Sequence, residues 1–473
     1  MCRKKQGWSQ FGFLKMTKKV ITRFAPSPTG HLHLGGARTA LFAWLFSKSN
    51  KGKCLLRIED TDKDRSKEEY TNSILKSFSW MGIEFDEEPV YQSKNISLHL
   101  KAIEKLIEEG HAYYCHCSQE RLDKLRKDQQ KAGEKPKYDG KCRELNLEKS
   151  DSSVVRFKNS REGAVTFNDL VRGEITISNN ELDDLIILRS DGSPTYNLSV
   201  VVDDMNMGIT HVIRGDDHIN NTPRQINICK ALGGEEITFG HVPMILGDDG
   251  KRMSKRHGAI SVVDYKNMGI LSEAFLNYLV RLGWSLGDKE VFTLDELINC
   301  FSEGKINSAP SSFSMEKLTW FNKEHLDLVE EDQLLNLLSD NISYLSTDSY
   351  SKRVIGLVRD RCSTLLDFQS ETFYFFQDYN PIDNDLTEKF FKPESLEILS
   401  YLQGELAESS FTSKDISEAI EKTMNQFSIG MGKVGQPFRL AITGQMGSPS
   451  IDKTAELLGK EKVLERLEKI ILG

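Results

Sequence analysis

The sequence predicts an α/β protein built on a doubly wound parallel sheet, with an α+β insertion inside it and helical domains after it. Three observations carry that expectation. Short apolar strands alternate with helical segments from Val20 to Gly110, and the alternation resumes from His211 to Leu246. From Cys115 to Ser178 the pattern changes to one charged helix followed by short alternating strands. Beyond Asp264 the apolar spacing is almost wholly helical.

Taken in order, Val20-Ile21-Thr22-Arg23-Phe24 is a short buried strand ended by Pro26, Pro28 and Gly30. Ala37, Ala40, Leu41, Trp44 and Leu45 then fall at helical spacing. A second strand, 54–59, runs into the acidic turn Asp60-Thr61-Asp62. Ser66 with Glu69 three residues on makes a capping box, which opens a helix that stops near Gly82. Another helix runs from Ile96 to Gly110. Strands at 154–158, 164–167 and 174–178 form the insertion, with Gly163 and Gly173 as its turns. The α/β pattern returns in a strand at 211–214, a helix at 223–232 and a strand at 242–246, while 271–282 and 334–338 are helical. The expected divisions are an extension at 1–18, the sheet domain at 19–114 and 206–264, the insertion at 115–205, and helical regions at 265–330 and 331–473. A parallel sheet of this kind opens its ligand crevice at the carboxyl ends of the strands.

The 473 residues suit about three domains at ~150 residues each. No apolar run approaches the ~18 residues of a membrane span. The net charge of −8, from 62 Lys+Arg and 70 Asp+Glu, argues against non-specific coating of nucleic acid. All of that acidity lies in 331–473, which holds 15 basic and 23 acidic residues. Residues 1–20 carry six basic side chains and no acidic one, and 121–149 carry ten basic against six acidic. The second stretch is either an anionic-partner surface or a solvated face. The first lacks a signal peptide's apolar core, so it is a poor transit peptide or an extension upstream of a start at Met16 rather than Met1. Eight scattered cysteines point to a reducing, cytoplasmic compartment, and only Cys115, Cys117 and Cys142 are grouped.

Two loops carry chemistry. The first, 25–36, lies between strand and helix; Gly35 and Gly36 let a ligand approach the backbone, the helix N-terminus offers free N–H groups, and His33 can donate to a phosphate. The second, 248–258, places Lys251, Arg252, Lys255 and Arg256 within six residues, which suits a polyphosphate that gains charge during reaction. Each alone is also compatible with an ordinary turn or a solvated basic loop.

Together the loops resemble the two signature motifs of class I aminoacyl-tRNA synthetases. His33-Leu34-Gly35-Gly36 matches the first and Arg252-Met253-Ser254-Lys255-Arg256 the second. The flanking 23–30 and 57–62 look like the glutamyl-tRNA synthetase family, as do Tyr138-Asp139-Gly140, Pro194-Thr195-Tyr196, Val201-Val202-Asp203-Asp204, Val212-Ile213-Arg214-Gly215, 432–437 and 448–450. The resemblance covers the chain from about Lys19 onward. It implies a Rossmann-like catalytic domain, an insertion that meets the tRNA acceptor end, a helical connecting region and an all-α anticodon-binding region.

The resemblance also implies residue roles. Arg23, Ser27, Glu59, Tyr196 and Arg214 stand at positions that bind L-glutamate, whose two carboxylates need arginines and whose ammonium needs an acid. His33, Gly35, Gly36, Asp217, Ile245, Arg252, Met253, Ser254, Lys255 and Arg256 would bind ATP, with His33 and Lys255 catalytic and Lys255 stabilising pyrophosphate. Mg²⁺ on the phosphates is the implied cofactor, tRNA(Glu) the partner, and a monomer without membrane contact the expected state. Within the family tRNA(Gln) is a second acceptor for some members. Arg353, Arg359 and Arg361 are candidate anticodon-side cations. Cys115-x-Cys117 with Cys142 resembles a zinc-binding insertion, whose fourth position here is Glu144, with Tyr138 and His116 as other donors. Zn²⁺ and reduced, unliganded thiols both remain open readings. The rivals are glutaminyl-tRNA synthetase, whose first motif region reads differently from Pro26-Ser27-Pro28-Thr29-Gly30, and a nucleotidylyltransferase, which needs neither insertion nor helical half.

Overall fold

The computed structural model describes residues 19–62, 64–247, 249–251, 253, 260–379 and 384–472. Arg252, Ser254, Lys255 and Arg256 of the second motif, and Met16 of the amino-terminal extension, lie outside the described residues. Two compact units divide the chain, one running through Lys266 and joined by Phe275–Met315, the other made of Asn267–Ala274 and Glu316 onward.

The first unit is built around strands β1 (Ile21–Phe24), β2 (Lys53–Ile58) and β3 (Val90–Tyr91), which pair in parallel in that order. Helix α1 (Leu34–Ser49) connects β1 to β2 and buries Ala37, Ala40, Leu41, Trp44 and Leu45, the positions its apolar spacing selects. Helices α2 (Glu68–Met81) and α3 (Ile96–Glu108) follow. The capping box expected at Ser66 is absent. Ser66 N donates to Asp62 O at 2.8 Å and Lys67 N to Pro28 O at 3.2 Å, so the loop holds both residues and the helix starts at Glu68, after an extended Lys67. Gly82 closes α2 in the left-handed conformation that glycine adopts without a Cβ penalty.

The insertion begins with β4 (Ala112–Cys115) and α4 (Gln119–Lys131), a helix that buries none of its side chains. Strands β5 (Val154–Phe157) and β8 (Ile186–Leu188) complete an antiparallel sheet with β4. The hairpin between them, β6 (Ala164–Asp169) and β7 (Gly173–Ser178), joins the parallel strands instead. Its Asp169 pairs with Phe239 of β10 (Thr238–Val242), which is parallel to β9 (His211–Gly215). Thr210 N donates to Ile21 O at 2.9 Å, setting β9 beside β1. The strand expected at 242–246 is split: β10 ends at Val242, Pro243 offers no N–H to a ladder, and Ile245–Leu246 forms a separate short strand.

Helices α5 (Tyr196–Asn206) and α6 (Thr222–Ala231) pack on this sheet. In the second unit, helices such as Glu331–Ser339, Ser349–Val358, Pro393–Glu408 and Met431–Thr443 bury Leu334, Leu338, Val354, Leu399, Leu402 and Phe438 in one core. Among the described residues, no helix is long and apolar enough to cross a membrane.

A polar pin fixes α5. Asp203 has no exposed surface and accepts from Gln92 Nε2 at 2.8 Å, Asn95 Nδ2 at 2.8 Å and His99 Nε2 at 3.0 Å. Those donors lie just before and within α3, so one carboxylate ties α3 to α5. Asp203→Ala leaves two buried polar groups and the half-buried Asn95 amide without this acceptor and should cost the first unit about 3 kcal/mol or more. An unchanged urea midpoint would contradict the pin.

Candidate functional site

The parallel strands end at a common cleft of about 250 Å³. Arg23, one residue from the end of β1, and Arg214, one residue from the end of β9, line it together with Glu59, which follows β2. The cleft therefore forms where a parallel sheet offers it, outside the carboxyl ends of the strands. Tyr196, the first residue of α5, and Gly35 and Gly36 in the first turn of α1 complete the wall. Asp217, His218, Ile245 and Met253 line it as well.

Arg23 and Glu59 belong to a buried charge network. Asp204 Oδ1 accepts from Arg23 Nε at 3.1 Å and from Arg57 Nη1 at 2.5 Å, and Arg57 Nη2 donates to Glu59 Oε1 at 3.2 Å. Burial alone would discharge Arg57, but Asp204, Glu59 and Asp203 outweigh it and hold the guanidinium firmly charged. Burial would likewise raise Asp204, yet Arg23 and Arg57 bring its carboxyl below the usual carboxylate range. Glu59 is pushed up by burial, against the pull of Arg57 and Arg23. Tyr196 is raised by burial, and its hydroxyl lies 3.3 Å from His218 Nδ1.

Arg214 is held differently, with its Nε toward His241 Nε2 at 3.2 Å and its Nη1 donating to Gln225 Oε1 at 2.8 Å. Burial lowers it to about 10.

His33 caps α1. Its Nδ1 accepts from Gly36 N at 3.2 Å, so the ring's neutral form carries its proton on Nε2 and can present a donor. The chain returns to this cap after the second motif. Ser261 bridges to His33, Val262 N donates to Leu32 O at 3.0 Å, and Met253 N donates to Ile245 O at 3.2 Å. The described flanks of the second motif thus lie against the first motif and the cleft wall.

Most of the expected site residues meet in this cleft, but Ser27 is exposed and does not line it. Sequence reasoning missed His218, Arg57, Asp203, Asp204, Gln225 and His241 as functional neighbours. The only available signal was the motif match at Arg57 and at Asp203–Asp204, which carries no role by itself.

A second cluster lies in the insertion. The thiol sulfurs of Cys115, Cys117 and Cys142 all fall within 4.8 Å of one another. The Tyr138 hydroxyl lies 3.4 Å from Cys115 Sγ and 3.6 Å from Cys117 Sγ. Burial would raise the Cys115 thiol, but its hydrogen bond with Tyr138 helps bring it below the usual value. Glu144 is not part of the cluster. Lys158 Nζ at 3.0 Å and Arg143 Nε at 3.5 Å draw its exposed carboxylate away. His116 Nε2 faces the Glu148 carbonyl at 2.9 Å. In the second unit, Arg359 donates to the Val329 carbonyl at 2.6 Å and Arg361 to Glu371 at 2.9 Å, while Arg353 lies over the Tyr350 ring.

The family model for class I tRNA synthetases (E and Q), catalytic domain, matches residues 19–320, and that for an anticodon binding domain matches 328–471. A crystal structure of a glutamate tRNA ligase from Elizabethkingia meningosepticum, in complex with its amino acid, is 30% identical with a TM-score of 0.84, covering 96% of this chain and 99% of that one. A glutamate-tRNA synthetase from Elizabethkingia anophelis is 30% identical with a TM-score of 0.81, covering 96% of this chain and 100% of that one.

The network has a signed pH dependence. Asp204's lowered native pKa means that its carboxylate contributes stability fully above the unfolded value of ~3.9 and loses it as pH falls through the native value. The stability gap between the wild type and Asp204→Asn should stay constant from about pH 7 to 5 and narrow below about pH 4. Urea midpoints across that range measure it; a gap that widens on acidification would contradict the assignment.

Proposed function

The chain belongs to the class I tRNA synthetases (E and Q), and from that premise we infer that it ligates L-glutamate to tRNA at the expense of ATP. It is a ligase acting in protein biosynthesis. The observation that carries the substrate is the cleft itself, where Arg23, Arg214, Glu59 and Tyr196 converge beside a glycine turn at a helix N-terminus.

Arg23 and Arg214 supply cationic partners for the two carboxylates of glutamate, and Glu59 and Tyr196 face its ammonium. His33, with Nδ1 committed to the helix cap, gives its Nε2 proton to a phosphate oxygen of ATP. Gly35 and Gly36 let the nucleotide reach the free N–H groups of α1. Asp217, Ile245 and Met253 line the remaining wall, where the nucleotide lies. The glutamate α-carboxylate attacks the α-phosphorus and pyrophosphate leaves; the terminal ribose hydroxyl of the tRNA then takes the acyl group and AMP leaves. No protein nucleophile is needed, so catalysis is positioning and charge stabilisation. Mg²⁺, which favours phosphate oxygens and water over an all-protein cage, neutralises phosphate charge when bound. Lys255, with Arg252, Ser254 and Arg256, is assigned to the pyrophosphate on sequence alone.

The acceptor is tRNA(Glu), bound at its acceptor end by the insertion, where α4 exposes Lys124, Arg126, Lys127 and Lys131. Its anticodon is read by the helical region that matches the anticodon binding domain, where Arg353 and Arg361 are exposed. The scattered free cysteines support the cytoplasm. Cys115, Cys117 and Cys142 fit Zn²⁺, with the Tyr138 phenol as the adjacent oxygen donor; the metal would tie β4 to the 138–142 turn.

Aminoacylation with purified tRNA(Glu) and tRNA(Gln) tests the reaction. Glutamate should be charged and glutamine should not, and charging of tRNA(Gln) with glutamate would mark a wider acceptor range. Charging of glutamine alone would overturn the assignment. Metal analysis of the purified protein should find about one zinc per chain, and less than ~0.1 equivalent would reject the metal.

A further inference from the structure

Of the three arginines that line the cleft, Arg23, Arg38 and Arg214, the first and the last stand at strand ends and are held by chemically opposite means. Arg23 gives its Nε–H to a carboxylate, Asp204, at 3.1 Å. Arg214 has only neutral acceptors among the described residues: His241 Nε2 at 3.2 Å, Gln225 Oε1 at 2.8 Å, Thr222 Oγ1 at 2.8 Å and the His218 carbonyl at 3.4 Å. Its side chain is nearly as buried as that of Arg23. Arg214 is therefore a buried cation whose charge no anion among the described residues cancels at contact distance.

His241 can accept only because its proton is placed elsewhere. Asp169 Oδ2 lies 2.6 Å from His241 Nδ1 and takes that N–H. The other Asp169 oxygen accepts from the backbone N–H groups of Val171 at 2.9 Å, Arg172 at 3.0 Å and His241 itself at 3.2 Å, so the carboxylate is anchored at the end of its strand. Nε2 then keeps its lone pair, facing Arg214 and, at 3.0 Å, the hydroxyl of Thr222. Phe239 lies with its ring plane 8° from that of His241, Phe167 meets it edge-on, and the histidine has no exposed surface. Protonation at Nε2 would aim a donor at the Arg214 Nε–H, cation against cation. Burial, the largest influence, and Arg214 hold His241 below its ordinary pKa, against the opposing pull of Asp169; Asp216 is a further carboxylate acting on it.

We propose that His241 is a positioning residue for glutamate: fixed by Asp169 as the Nδ1–H tautomer, it orients Arg214 without neutralising it, leaving that charge for a substrate carboxylate. A carboxylate in the place of the ring would orient Arg214 equally well but would spend its charge. The inference rests on the reading of Arg214 as a glutamate-carboxylate ligand.

Asp169→Asn tests the relay with little change of shape. Because one oxygen of residue 169 is committed to three backbone donors, the amide NH₂ must face the ring, forcing the proton to Nε2 and against Arg214. In steady-state aminoacylation, KM for glutamate should rise about tenfold or more while KM for ATP stays within about twofold. His241→Phe, which removes the acceptor, should give the same split, whereas general damage to the fold would move both constants. Arg214→Lys is the control. If it raises KM for glutamate while the other two variants behave as wild type, the relay is overturned. If it leaves that constant unchanged, the reading of Arg214 fails and takes the relay with it. In the wild-type protein, ¹⁵N-histidine spectra should contain one Nδ1–H imidazole that is lost in His241→Phe; its absence would also overturn the proposal.

Discussion

Two guanidinium groups on neighbouring strands, Arg23 and Arg57, are buried against one shared carboxylate. Asp204 accepts from both, at 3.1 and 2.5 Å, and removing a partner from such a pair leaves an uncompensated charge worth about 3–5 kcal/mol. Much else follows from that constraint. Asp204 comes from α5, so α5 must pack under β1 and β2 in one register, and its neighbour Asp203 pins the same helix to α3. Tyr196, at the start of α5, is carried to the cleft by the same placement. The electrostatics of the site and the packing of the sheet unit are one arrangement.

The network also decides where positive charge remains. Arg57 is surrounded by carboxylates and its charge is spent inside the protein. Arg23 shares Asp204, and Arg214 meets only neutral acceptors. Across the cleft the charge available to a ligand therefore rises from β1 to β9. Such a gradient lets an anion orient itself before any chemistry occurs, and orientation is one of the two contributions to catalysis in a reaction without a protein nucleophile.

Much of this was legible in the sequence. The strand–glycine–helix order around His33 and the burial of Ala37, Ala40, Leu41, Trp44 and Leu45 were read from apolar spacing, but α1 also buries Phe42, Ala43 and Phe46, because it is apolar on nearly every side. Arg23, Glu59, Tyr196 and Arg214 were found through motif resemblance. What periodicity missed has definite causes. Helix α2 begins after Ser66 because backbone contacts from Asp62 and Pro28 outcompete a side-chain cap. The β6–β7 hairpin joins the main sheet through one residue pair, Asp169 with Phe239, which no local pattern reveals. That pairing brings Asp169 to His241, 72 positions away in sequence. Glu144 had the spacing of a ligand, but two nearby cations claim its carboxylate.

Arg23 and Arg214 are held by protein partners before substrate arrives, and a crystal structure of the protein with bound L-glutamate tests whether they stay so. One substrate carboxylate should lie on the cleft-facing edge of Arg214 and the other at Arg23, with the Arg23–Asp204 and Arg214–His241 contacts intact. Glutamate bound away from both arginines, or arginines that leave Asp204 and His241 to reach it, would refute this arrangement.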